Sequence, residues 1–122
     1  MRAVRSRNTQ PEIQVRRIVY RLGYRYRLHF RKLPGAPDLA FPKRQKAVFV
    51  HGCFWHQHRG CRRAGVPKSN RPFWSAKLAR NAARDAEEIK AIRKQGWRVL
   101  VIWECQIKDE LRLAARLRRF LG

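Results

Sequence analysis

The chain has 122 residues, enough for one domain around a single core. It carries 30 Lys and Arg against 8 Asp and Glu, a net charge of +22; self-repulsion on that scale points to a polyanionic partner, nucleic acid first. No apolar segment is long enough to span a bilayer and no secretory leader is visible. The expected setting is therefore cytoplasmic and away from membranes, where the three cysteines are metal ligands or buried thiols rather than disulfides.

Residues 1–8 carry Arg2, Arg5 and Arg7 and read as a basic arm for a nucleic-acid backbone. Thr9-Gln10-Pro11-Glu12 is a helix start, with Thr9 as cap, Pro11 in the first turn and Glu12 as the capping-box partner. Ile13, Ile18, Val19 and Leu22 give a partial apolar face, and Gly23 stops the helix. Tyr24, Tyr26, Leu28 and Phe30 alternate with Arg25, Arg27, His29 and Arg31, which predicts a half-buried strand with one basic face. A turn over 33–37 leads through Asp38 into the apolar Leu39–Phe41. A second turn over 42–45 leads into Lys46–His51. Three strands joined by turns predict an antiparallel meander.

Residues 62–71 are basic and broken by Gly65 and Pro67. Pro72 opens a helical segment that runs to Gln95. Trp74, Leu78, Ala82, Asp85/Ala86, Ile89 and Ile92 fall along it at steps of three and four, an amphipathic stripe; it is either one helix or a short turn around 73–78 followed by a separate helix from Asn81. Residues 97–103, WRVLVIW, are a continuous apolar run fit for a central strand covered on both faces. Residues 107–121 predict a last helix, with Asp109 and Glu110 at its positive end. The sum is a single mixed α/β domain over 1–122.

The chemistry concentrates in residues 48–61, VFVHGCFWHQHRGC. Cys53, His58 and Cys61 form a local triad, and Cys105 lies far off in sequence, just past the last strand. Three thiolates and an imidazole suit a closed tetrahedral Zn²⁺ site, and so polar a loop needs such a clamp. The plainer alternative leaves Cys53 and Cys105 as buried thiols. Asp38, placed at a strand opening, can hold Mg²⁺ as a metal-dependent nuclease requires, or can simply serve the turn. His51 and His56 remain free to move a proton near pH 7. Phe54 and Trp55 are poorly placed for a core and can wedge between base pairs. Trp74 can join them, or it can line the helix's core face.

PGAPDLAFPKRQKAVFVHGCFWHQHRGC, with NTQPE upstream and RPFWSAK and GWRVLVIWEC downstream, closely resembles the very short patch repair (Vsr) endonucleases, with the motifs in the same order. The resemblance implies a restriction-endonuclease-like core, a mixed sheet flanked by helices. It implies strand-specific nicking of double-stranded DNA beside a T:G mismatch, the lesion left when 5-methylcytosine deaminates. The protein is then expected to act as a monomer, with other repair proteins as possible partners. By the same resemblance Asp38 and the backbone carbonyl of Val50 hold Mg²⁺, at a position where family members often carry Thr. His56 is the general base, His51 an auxiliary catalytic group and Glu12 a support for the site. Cys53, His58, Cys61 and Cys105 hold Zn²⁺, and Phe54, Trp55 and Trp74 intercalate. The wider nuclease superfamily follows its Pro-Asp motif with an acidic-x-Lys tripeptide. Here the strand reads Phe49-Val50-His51, so a histidine replaces the lysine chemistry. A zinc-stabilised, non-catalytic DNA-binding module and a restriction-type nuclease on matched DNA stand as alternatives from the residues alone.

Overall fold

The computed structural model describes residues 9–122; the expected basic arm lies outside the described residues. Helix α1 (Gln10–Arg21) begins where Thr9 Oγ1 accepts the N–H of Glu12 at 3.4 Å, as the capping pattern predicts. It ends at Leu22, and Gly23 takes the left-handed conformation (φ 98°) that releases the chain. The strands β1 (Arg27–Leu28), β2 (Leu39–Phe41) and β3 (Lys46–His51) pair antiparallel in order. Helix α2 (Arg71–Lys94) is a single helix, which settles the choice between one helix and two. Strand β4 (Arg98–Trp103) then returns parallel to β3, and α3 (Glu110–Leu121) closes the chain.

The pleat sorts β3 and β4 into two faces. Val48 and Ile102 pack with Val15, Ile18 and Val19 of α1 and Leu113, Leu117 and Leu121 of α3. Ala47, Phe49, Val99 and Val101 face the other way, against Ile89 and Ile92 of α2. The result is a four-stranded mixed sheet, order β1-β2-β3-β4, with α1 and α3 on one face and α2 on the other. His51 and Trp103 share the parity of the α2 face. No helix among the described residues is long and apolar enough to cross a membrane.

Three expectations need correcting. The long first strand is only the two-residue β1: His29 turns the backbone to φ 46°, so the alternation over 24–30 does not survive as a ladder. Tyr24 and Tyr26 still pack on the α1/α3 core, and Leu28 is left exposed. The apolar run over 97–103 is an edge strand, not a central one, and most of it is half-buried; the strands buried along most or all of their length are β2 and β3. Helix α3 starts at Glu110, where Asp109 Oδ1 accepts the N–H of Arg112 at 3.1 Å. Residues 104–106 form a 3-10 turn before it.

Candidate functional site

Asp38 sits just before β2. The β2–β3 ladder stops at Leu39 opposite Val48, and the N–H of Val50 donates instead to Asp38 Oδ2 at 2.7 Å. The preceding turn is seated on α2: a Cβ on Gly35 (φ 74°) would come within 2.8 Å of the Glu88 side chain. From the opposite layer α1 delivers Glu12, only 2% exposed, whose Oε2 meets Arg16 Nη2 and His29 Nε2, each at 3.1 Å. One donor atom each from Glu12, His29 and Asp38 lie within 4.8 Å of one another. Burial above all pushes the Asp38 carboxyl up to about 7; the Val50 N–H opposes the rise and the Glu12 carboxylate adds to it. The sequence did not expose His29 as a neighbour of this carboxylate pair, because it reads as one more member of a strand's basic face.

The two free histidines come together. Their rings stack face to face, centroids 3.9 Å apart and 6° from parallel. His56 Nδ1 faces Asp85 Oδ2 of α2 at 2.5 Å. With Asp85 accepting, His56 carries its proton on Nδ1 and keeps Nε2 as the basic nitrogen. His51 is 5% exposed, and its Nδ1 is buried without a hydrogen-bond partner. Burial chiefly, with the neighbouring His56, pulls its pKa down to about 4, so it is neutral at pH 7. Donor atoms of His51, His56 and Asp85 also lie within 4.8 Å. Stacked rings, however, aim their lone pairs side by side rather than at one point, which fits proton transfer better than a third ion. Asp85 was hidden in the helical stripe. Leu78 and Ile92, seven residues to either side, are the two buried residues of α2, and Ile92 packs on Ala47 and Phe49 of β3, so a carboxylate at that repeat is a polar group on the helix's buried face. That is the signal that marks it.

The cysteines and His58 also converge. His58 Nδ1 lies 3.7 Å from Cys53 Sγ and 3.4 Å from Cys105 Sγ. One donor atom from each of Cys53, His58, Cys61 and Cys105 falls within 4.8 Å of the rest. Burial pushes the Cys53 thiol up to about 12, whereas a hydrogen bond from the Arg63 backbone lowers Cys61. The loop is shaped by short backbone bonds, His58 N–H to Cys53 O at 2.9 Å and His56 N–H to Gly52 O at 3.1 Å. Gln57 adds side-chain bonds to the carbonyls of Phe54 and Ala64. Across 52–70 Cys53 is the one fully buried residue, so this loop has little core of its own, and the Cys53, His58, Cys61 and Cys105 cluster could hold a metal ion that clamps it.

Phe54, Trp55 and Trp74 form a ring cluster with centroids 5.0–5.9 Å apart. All three are half-exposed, which sets Trp74 with the loop aromatics rather than in the core. Phe73, 51% exposed and 5.3 Å from Trp74, is a fourth ring that sequence reasoning passed over.

Comparison with known proteins bears on what this arrangement does. The family model described as DNA mismatch endonuclease Vsr matches residues 1–63. The type II nicking enzyme V.XorIIP of Xanthomonas oryzae pv. oryzae is 50% identical over 99% of this chain and 88% of its own length. The type II nicking enzyme V.NmeAIP of Neisseria meningitidis is 37% identical over 99% and 86%. The DNA mismatch endonuclease Vsr of Escherichia coli is 35% identical over 93% and 72%.

Proposed function

The chain belongs to the DNA mismatch endonuclease Vsr family, and from that premise we propose that this DNA endonuclease nicks one strand of duplex DNA beside a T:G mismatch, with Mg²⁺ as its catalytic ion. The biological setting in this reading is very short patch repair of deaminated 5-methylcytosine. The fold is read as one restriction-endonuclease-like domain over 1–122 that acts as a monomer. The relatives named as nicking enzymes favour a single-strand cut over a restriction-type double-strand cut.

The observation that carries the reading is the meeting of two units. One is the buried Asp38–Glu12 carboxylate pair, and the other is the Asp85–His56 pair, close enough that His56 favours the charged form of Asp38. Hard oxygen donors in a carboxylate excess fit Mg²⁺. Asp38 and the Val50 carbonyl would hold it; a strand residue sends its N–H and C=O to the same side, and the Val50 N–H already points at Asp38. When bound, the ion offsets charge on the phosphate and acidifies water. His56 takes the proton of the attacking water on Nε2, and Asp85 stabilises the imidazolium that results. Neutral His51 backs the His56 ring, and Glu12, held by Arg16 and His29, supports Asp38. Cys53, His58, Cys61 and Cys105 fit structural Zn²⁺ by donor type and number. Phe54, Trp55 and Trp74 enter the base stack while the basic surface holds phosphates.

A labelled duplex carrying one T:G pair should be nicked on one strand only in the presence of Mg²⁺, and its matched T:A counterpart left whole. His56→Ala should lower the rate about 10²–10⁴-fold, and Asp85→Asn should lower it in the same direction by mis-setting the His56 tautomer. Equal cutting of both duplexes would remove the mismatch reading, and unimpaired cutting by His56→Ala would remove the mechanism.

A further inference from the structure

We propose that Trp103 is a positioning residue that transmits the placement of the metal-binding loop to the proton-transfer pair; the proposal rests on the reading of His56 as the base. Four rings follow one another without a gap. His56 stacks on His51 at 3.9 Å, and His51 and Trp103 meet in a T-shaped contact at 5.1 Å and 75°. Trp103 in turn lies face to face with His58, one of the four cluster ligands, at 4.2 Å and 7°.

The sheet builds this row. The parallel register sets His51 directly opposite Trp103, and both side chains stand on the α2 face. Trp103 is fixed independently of the loop. Its backbone N–H donates to Gln106 Oε1 at 3.0 Å, and Arg116 of α3 donates to the same oxygen at 2.9 Å. The indole therefore sits on the frame of the sheet, stacked on the ligand His58 and in T-shaped contact with His51 of the catalytic pair. Flat rings in van der Waals contact leave little free travel, because closely packed groups pass displacement on rather than absorb it. His51 donates no hydrogen bond from Nδ1 that could hold its ring in place, so ring packing carries that task. Removal of the indole frees His51 to tilt, and His56 with it, while the four ligands stay where they are.

The test uses the full zinc-loaded chain and two variants, Trp103→Phe and Trp103→Leu. Both should retain the parent's zinc content and its Kd for a T:G duplex. Trp103→Leu should lose about a hundredfold in kcat with KM unchanged, the usual cost of an ångström-scale misplacement, and Trp103→Phe should recover most of it. A second readout needs no catalysis. Exchange of the zinc for the larger Cd²⁺ should shift the imidazole NMR signals of His51 and His56 in the parent and in Trp103→Phe, and leave them unmoved in Trp103→Leu. Parental kcat in zinc-replete Trp103→Leu, or a cadmium shift that survives there, overturns the proposal. If Trp103→Leu does not fold, a parent whose His51 and His56 signals ignore the exchange overturns it equally. A parent that binds zinc but never nicks DNA sinks the endonuclease reading instead, and the cadmium experiment still judges Trp103.

Discussion

Asp38→Asn is expected to give a protein that melts higher than the parent near pH 7 and no longer cuts DNA. The activity loss should be on the order of a thousandfold or more, the scale of losing a catalytic ion's charge stabilisation. The stability gain follows from the Asp38 carboxyl, which burial raises from 3.8 to about 7 in the metal-free protein. A carboxyl raised on folding favours the native state while protonated. Its contribution is intact below about pH 4 and is lost as pH climbs through 7. The full shift corresponds to roughly 4 kcal/mol above pH 7. His51 runs the other way: its pKa falls from 6.5 to about 4 on burial, so stability is lost as pH drops across that interval. The two trends partly cancel in the parent. The decisive quantity is the difference in Tm between variant and parent, which should grow from pH 4 to pH 7. Melts should be run after removal of Mg²⁺ by dialysis rather than by chelator, so that a tightly held zinc stays. Mg²⁺ should then raise the parent's Tm and leave the variant's unchanged. A Tm difference that stays flat with pH would show that Asp38 carries no such strain.

Cys105→Ser should release the loop from the sheet. Its expected signature is loss of the one zinc per chain by metal analysis, with nicking reduced to background. Trypsin should then cut at Arg59, Arg62 and Arg63, which are largely exposed and lie in a stretch with little buried surface. The two apolar clusters do not include the loop, so the fold should persist with Tm lower by about 5–10 °C rather than collapse. Zinc binding should also strengthen with pH, because thiols must shed protons to bind, and the buried Cys53 thiol, near 12 without metal, gives up its proton reluctantly. Full zinc retention and normal nicking in the Ser variant would remove Cys105 from the ligand set.

The parts of the site legible in the sequence are those that local spacing states. Cys53, His58 and Cys61 fall within nine residues, and Asp38 and His56 flank the β2–β3 hairpin, so a short stretch gathers them. Cys105 was legible because it ends an unmistakable strand. Asp85 and His29 were not, because each belongs to a pattern with an ordinary explanation. Asp85 fills a helix stripe, and His29 alternates with aromatics. What singles them out is tertiary: α2 crosses the sheet face that carries His51, and a left-handed residue swings the His29 ring onto Glu12. The same limit explains β4. An apolar run records how much is covered, not where a strand stands in its sheet, and helices on both sides cover an edge strand nearly as well as a central one.

The parallel β3–β4 pair has a further consequence for how the chain comes into being. Its partners are separated by the whole loop and α2, so Asp38, His51 and His56 leave the ribosome well before Trp103 and Cys105 do. Contacts so distant in sequence form late in folding. On the proposed site, a half-made chain holds the carboxylate and the histidines with nothing behind their rings and a loop short of its fourth ligand. On that reading, strand scission should begin only once translation has passed β4.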